Sequence, residues 1–374
     1  MLNRVFASTG GGAERYSMAL VEQLAARHEV HVFAQVIEHQ WSNVSYHRVS
    51  LPFTRPRWLN QLWYAFVTWI QTRKGFDIVH SHENVWHGNV QTMHVKTTSR
   101  SRFGDRKGVA LGLRVITTAF SARLLTYLLF ERARMTLRDD RAVVAVSDSL
   151  REELAVEYPE SGKMLHVISP GVYLPDHAIS KSEARVALGV DKDGSLLLFV
   201  ARDYARKGLN ALLLALRDIP SEVQLLVAGN TDQISRFRTE AETLGIGPRI
   251  HFLGALENAG MAYQAADVLV HPTLEDSFGM VVLEAMAHRL PVVVSDRTHC
   301  GASSLFRDRV HALLLADPQN VTTLRQSIMF ILNSPELSDR LRENGFRLAQ
   351  EHSWRATAMA YEEIYKKVCV RQCS

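Results

Sequence analysis

Short apolar runs alternate with amphipathic stretches along most of this chain. The apolar runs predict strands at 4–7, 30–34, 77–80, 142–146, 196–201, 224–228, 250–253, 268–271 and 291–295. Helical spacing separates most of them, for example at 13–27 and 209–217. Strands that are apolar throughout and linked by helices predict parallel sheets covered on both faces, an α/β architecture. The rhythm breaks at Ser169-Pro170-Gly171-Val172-Tyr173-Leu174-Pro175, where two prolines and a glycine mark a linker. In a chain of 374 residues this predicts two doubly wound, Rossmann-like domains, 1–170 and 171–352. Ligands of such sheets bind beyond the C-terminal strand ends, so the expected site is a cleft where the two domains face each other.

One helical pattern has two readings. Trp58, Leu59, Leu62, Trp63, Phe66, Val67 and Ile70 form one wide apolar face, flanked by Arg55, Arg57, Arg73 and Lys74. A helix packed on a sheet by that face is the leading expectation, and a face laid on a membrane surface is the second. Composition narrows the class. Hydrophobic residues make up 47% of the chain and the net charge is +4, too weakly basic to imply nucleic acid. Basic residues do outnumber acidic ones between Arg100 and Arg141, and within that stretch Arg114, Arg123, Arg132, Arg134 and Arg138, set among Leu, Tyr and Phe, suit an anionic lipid or a phosphorylated acceptor. Three cysteines, Cys300, Cys369 and Cys373, predict a reducing compartment rather than a disulfide framework. Residues 1–15 hold no apolar leader core, and no uncharged apolar run is long enough to span a bilayer. These features together predict a cytoplasmic protein, with peripheral contact at the inner face of the membrane as an extension.

Candidate chemistry concentrates at strand ends. The stretch His271-Pro272-Thr273-Leu274-Glu275-Asp276-Ser277-Phe278-Gly279-Met280-Val281-Val282-Leu283-Glu284 reads as strand, polar loop and helix. Unpaired N–H groups where that helix begins suit a diphosphate, and Gly279 allows its close approach. Glu284 lies one and a half turns further on, where a carboxylate can hold ribose hydroxyls, and Glu275 or Asp276 faces whatever the phosphates carry. A second loop, Ala201-Arg202-Asp203-Tyr204-Ala205-Arg206-Lys207-Gly208, brings a guanidinium and an ammonium to a strand mouth. Thr9-Gly10-Gly11-Gly12-Ala13-Glu14-Arg15 follows the first strand, but Arg15 stands where a dinucleotide fingerprint needs a small residue. His80, His82, His87 and His94 lie near Glu83, yet their spacing fits no compact metal box.

These segments, in this order, resemble the retaining glycosyltransferases of family 4, which have the GT-B fold. Asp276 and Glu284 fall in the register of that family's pair of acids eight positions apart, where a glutamate usually stands first. Arg206 and Lys207 match its Arg-Lys-Gly loop, Gly11 and Gly12 its glycine loop, and His94 its Thr-x-His position. The resemblance implies an N-terminal acceptor-binding domain and a C-terminal nucleotide-sugar-binding domain, with a helix at about 353–374 packing back on the first. It implies a nucleotide-sugar donor, with a UDP-sugar as the expected form, and a saccharide or lipid-linked acceptor. It assigns catalysis to His94 with Asp276 or Glu275, and donor binding to Gly11, Gly12, Arg206, Lys207, Phe278, Gly279, Met280, Val281 and Glu284. It implies no cofactor and no metal. Phe130-Glu131-Arg132-Ala133 and Ser169-Pro170-Gly171-Val172-Tyr173 narrow the likeness to lipopolysaccharide core glucosyltransferases that act on heptose. The rival readings are another enzyme of the same fold, such as an epimerase or a phosphorylase, and a non-catalytic nucleotide-sugar-binding subunit.

Overall fold

The structure, a computed structural model, describes residues 1–7, 11–104, 106–175, 179–191, 193–229, 231–256 and 259–373. Thr9 and Gly10 of the glycine run therefore lie outside the described residues. The chain forms two compact units: Met1–Pro170 with Trp354–Ser374, and Gly171–Ser353.

In the first unit the elements are β1 (Val5–Phe6), α1 (Gly12–Leu24), β2 (Val30–Ala34), β3 (Val36–Ile37), β4 (Val44–Arg48), α2 (Arg57–Thr72), β5 (His80–Ser81) and β6 (Val90–Met93). They continue through α3 (Thr98–Arg102), α4 (Gly108–Ala119), α5 (Ala122–Met135), β7 (Ala142–Ala145), α6 (Asp148–Glu157) and β8 (Leu165–Val167). All strand pairs are parallel: β1 with β3, β2 with β4, and β5-β6-β7-β8 in sequence order. Leu2 bridges both Phe33 and Ser81, which joins the β2 and β5 groups.

The second unit holds α7 (Lys181–Ala187), β9 (Leu196–Val200), α8 (Leu209–Arg217), β10 (Gln224–Ala228), α9 (Ile234–Thr243), β11 (Ile250–Gly254) and α10 (Gly260–Ala265). It continues with β12 (Val268–His271), α11 (Met280–Ala287), β13 (Val292–Ser295), β14 (Leu313–Leu315), α12 (Val321–Asn333) and α13 (Pro335–Glu351). Its six strands run parallel in the order β11-β10-β9-β12-β13-β14. Strand order reverses between β9 and β12, and the crevice outside such a reversal is where doubly wound sheets take their ligands. Leu197, Phe199, Leu225, Val227, Val268 and Val270 fill the core against Leu212, Leu216 and Ile328 from α8 and α12.

The last helix, α14 (Trp354–Cys373), belongs to the first unit. A buried polar chain ties it there. Tyr16 donates from its hydroxyl to Tyr361 at 2.9 Å, Tyr361 meets Thr92 at 2.8 Å, and His80 lies 2.7 Å from both Thr92 and Tyr365. Buried polar groups satisfied in this way specify one seating of the helix.

Helix α2 corrects the leading expectation for its apolar face. Its buried residues are Asn60, Gln61, Tyr64, Ala65, Thr68 and Thr72, and Phe66, Trp69 and Ile70 are exposed. Leu62 and Val67 only flank the core. At 100° per residue, Phe66 and Ile70 lie roughly opposite Thr68. The polar side points inward because partners wait there. Asn60 and Gln35 exchange two amide hydrogen bonds at 2.9 and 2.7 Å, Gln61 donates to the Asn84 carbonyl at 2.7 Å, and Tyr64 donates to the Phe33 carbonyl at 2.8 Å.

Candidate active site

The two adjacent strands at the strand-order reversal deliver the main constellation. The loop after β9 carries Arg206 and Lys207, and the loop after β12 carries Glu275 and Asp276. The two loops are stitched together, with the Leu274 N–H donating to the Arg206 carbonyl at 2.9 Å. The Lys207 ammonium reaches across to the Asp276 carboxylate at 2.6 Å and to the Glu275 carbonyl at 2.8 Å. Gly208 makes this approach possible. Its φ is +85°, and a Cβ there would lie 2.0 Å from the Pro272 carbonyl oxygen.

Asp276 is held from several sides. His271 Nε2 lies 3.4 Å from its Oδ2, the Phe278 N–H donates to its Oδ1 at 3.3 Å, and its own N–H donates to the His299 carbonyl at 2.7 Å. Burial alone would raise its pKa. The His271 hydrogen bond and the Lys207 charge outweigh burial and hold the carboxyl well below the usual carboxylate range. Burial keeps His271 neutral in turn, despite its acidic neighbour.

Gly279 is the N-cap of α11, at φ +95°, and a Cβ there would meet the Cys300 sulfur at 2.7 Å. Met280 and Val281 open the helix, half-buried, and Phe278 is buried beneath. The free N–H groups of α11 thus start beside the Lys207–Asp276 pair, one positive helix end next to one ammonium. Glu284, on the same helix, accepts a 2.7 Å hydrogen bond from the Tyr263 hydroxyl, and Tyr263 stacks on His288 at 5.3 Å. Arg206 is more than half exposed and lies 3.8 Å from Asp203. The structure therefore separates two residues that the sequence treated alike: Lys207 is locked into the loop pair and Arg206 is presented to solvent. Among the described residues no group of three His, Cys, Asp or Glu side chains is arranged to hold a metal ion.

The first unit gathers the remaining predicted residues at the C-terminal ends of its own strands. Gly11 is the N-cap of α1 and Gly12 its first residue. His94 follows β6 and His82 follows β5, with His82 Nδ1 2.8 Å from His94 Nε2 and the rings stacked. Tyr16, one turn into α1, packs edge-on against His94 at 5.0 Å and contacts His82 at 5.7 Å. The helix start, His82 and His94 are thus neighbours. Burial and the Arg134 guanidinium push His94 down to about 3. His82, His271, Tyr16 and Arg134 were not singled out as site residues from sequence. The His-x-His spacing at 80–82 was visible, but nothing local marks which histidine meets His94.

Neutral buried histidines make a pH prediction. Burial holds His80 and His82 well below 6.5, His87 at about 4 and His94 at about 3. The unfolded chain binds protons at these sites below about 6.5 while the native chain does not, so stability is full above that value and falls with acidification. Denaturant midpoints should drop between about pH 7 and pH 5. A midpoint unchanged across that window would mean the histidines are already charged in the native state.

The chain as a whole is similar to known proteins. Residues 180–348 match the family described as glycosyl transferases group 1, and residues 10–174 match glycosyltransferase family 4. The chain belongs to the family 4 glycosyltransferases and has the GT-B fold. It is 26% identical over 233 residues to the lipopolysaccharide glucosyltransferase WaaG of Escherichia coli K12, covering 60% of this chain and 62% of that one. It is 28% identical over 255 residues to a D-inositol 3-phosphate glycosyltransferase of Corynebacterium efficiens, covering 63% of this chain and 59% of that one. The chain spans about three fifths of the length of these curated relatives. The crystal structure of WaaG superposes with a TM-score of 0.83 at 22% identity, over 97% of this chain and 98% of that one. Anabaena Alr3699/HepE in complex with UDP and glucose gives 0.71 at 17% identity, over 98% of both chains.

Proposed function

We propose that this chain transfers a sugar from a UDP-sugar to a saccharide or lipid-linked saccharide, with retention at the anomeric carbon, in cell-envelope glycan synthesis. The observation that carries this reading is the Lys207–Asp276 pair at 2.6 Å beside the N-terminus of α11, at the strand-order reversal. Lys207, Arg206 and the amides of Gly279, Met280 and Val281 take the diphosphate, and Glu284 takes the ribose. Phe278 supports the turn from below. Asp276, with Glu275 beside it, orients the sugar. The bond from the anomeric carbon to the leaving phosphate breaks, the acceptor oxygen bonds on the same face, and its proton passes to that phosphate. Gly11, Gly12 and His94 serve sugar and acceptor recognition in the first unit. Relatives named for lipopolysaccharide and for inositol phosphate support a hydroxylated acceptor, and an acceptor held at a membrane surface agrees with the arginine-rich stretch Arg114–Arg138.

Cations and a helix end supply the charge that a divalent ion supplies elsewhere. Incubation with UDP-sugars, with and without saccharide and lipid-linked acceptors, is expected to release UDP in the presence of EDTA. Turnover lost in EDTA and restored by magnesium or manganese would refute the metal-free site. UDP-sugar binding without UDP release from any acceptor would identify a binding subunit instead.

A further inference from the structure

His82 has no part in the reaction just described, yet it is bonded to a residue that has. His80 opens β5 and His82 follows two positions on, while Thr92 lies in β6 and His94 follows it by two. Side chains two apart share one face of a strand, and β5 and β6 are parallel neighbours. Two rungs cross between them: His80 Nε2 lies 2.7 Å from Thr92 Oγ1, and His82 Nδ1 lies 2.8 Å from His94 Nε2. The first rung belongs to the polar chain that seats α14. The second ends on His94, which is half-buried and whose Nδ1 has no hydrogen-bond partner among the described residues. Tyr16 packs on both rings of the second rung and limits their rotation.

Two ring nitrogens at 2.8 Å share one proton between them. Burial, with the Arg134 guanidinium adding to it, keeps both rings neutral, so each imidazole donates at one nitrogen and accepts at the other. Two arrangements satisfy this. In one, His94 donates from Nε2 and His82 carries its own proton on Nε2. That nitrogen is buried and without a partner among the described residues, so its N–H would be stranded away from any acceptor. In the other, His82 donates from Nδ1 and its Nε2 keeps only a lone pair. The positive potential that Arg134 sets up around the ring favours a bare lone pair over an N–H. His94 then holds its own proton on Nδ1.

We propose that His82 is a positioning residue for His94: its Nδ1–H donates to His94 Nε2 and holds His94 as the Nδ1–H tautomer, a fixed donor toward a hydroxyl oxygen of the transferred sugar. The inference rests on the reading of His94 as a sugar contact. An imidazole free to choose its tautomer offers a hydroxyl either a proton or a lone pair, and the hydroxyl can turn to meet both. The lock removes the second choice. The sugar oxygen must then accept from His94 and direct its own proton elsewhere, which narrows the orientations in which the sugar can sit. Loss of such positioning lowers the rate of the chemical step more than it weakens binding.

Two-bond proton–nitrogen correlation spectra of the full chain, labelled with nitrogen-15 in its histidine rings, test the lock, with the His94 signals assigned by their loss in His94→Gln. The parent is expected to carry the His94 proton on Nδ1. A proton on Nε2 overturns the proposal, whatever the variants do. His82→Leu should let the Nε2–H form of His94 appear and lower kcat about five- to twentyfold, with KM for the UDP-sugar within about twofold of the parent. His82→Asn, which can place an amide N–H where Nδ1–H stood, should restore most of that loss. An unchanged kcat in His82→Leu overturns the positioning role. So does a His82→Leu protein whose melting temperature falls and whose kcat and KM worsen alike, since that marks a residue needed only for the fold. Absence of UDP release from every donor would sink the enzymatic reading instead, and the ring tautomer of the parent, read without turnover, would still decide the pair.

Discussion

Lys207→Ala is expected to weaken both the donor site and the fold, and Arg206→Ala the donor site alone. The Lys207 side chain is only 13% exposed, and its ammonium is bonded to Asp276 and to the Glu275 carbonyl. Its removal strands a largely buried carboxylate, which typically costs about 3–5 kcal/mol for a fully buried pair. With the Asp276 side chain one-fifth exposed, about 2–3 kcal/mol is the better figure. Loss of a charge-assisted bond to phosphate adds a ten- to hundredfold loss in donor affinity, about 1.5–3 kcal/mol. Arg206, exposed and 3.8 Å from its acid, should leave the melting temperature near the parent value and affect donor binding only. Thermal denaturation and UDP titration on both variants separate the two effects. A Lys207→Ala protein with parental stability and parental UDP affinity would remove the pair from the site altogether.

Gly208→Ala should be the most disruptive single methyl in the second unit's candidate site. The new Cβ would sit 2.0 Å from the Pro272 oxygen and 2.9 Å from its carbonyl carbon, both rigid backbone atoms. The left-handed φ of +85° adds strain of its own. Together these predict a loss of about 3–5 kcal/mol, and a loop that can no longer bring Lys207 to Asp276. Gly189→Ala is the matched control, with a φ of +67° and no atom within 4 Å of the new Cβ. It should lose only about 1 kcal/mol. Urea unfolding of the two variants measures the difference, and equal losses would show that backbone strain alone, not the approach to Pro272, governs the position.

Much of this fold was legible from local pattern. Strands 30–34, 224–228 and 268–271 and the helix 209–217 fall where apolar periodicity puts them, because each carries enough apolar pattern of its own. The strands Val36–Ile37, Leu165–Val167 and Leu313–Leu315 were missed because two or three residues carry too little pattern, and Val44–Arg48 and Val90–Met93 because polar residues interrupt their apolar runs. Strand β5 begins at His80 rather than 77, since Leu2 pairs with His80 and Ser81, and no local signal reports a partner at the far end of the domain. The inversion of α2 fails for a related reason. Hydropathy scores Asn60, Gln61 and Thr68 as surface residues and cannot see that Gln35, Asn84 and His87 wait beneath them. In the site, spacing brought out Lys207 and Asp276 but not the bond between them, which depends on β9 and β12 being neighbours.

The return of α14 to the first unit also sets an order of synthesis. Residues 171–353 leave the ribosome whole, as one continuous insertion whose ends meet: Val172 donates to the His352 carbonyl at 2.8 Å and bridges Ser353. That unit has every strand and helix it needs before Trp354 is made. The first unit, begun earlier, still lacks the partners of Tyr16, Thr92 and His80 until Tyr361 and Tyr365 emerge. The half that starts first is thus the half that finishes last, and until the final helix arrives its tyrosine and histidine sockets stay open to water and to chaperones.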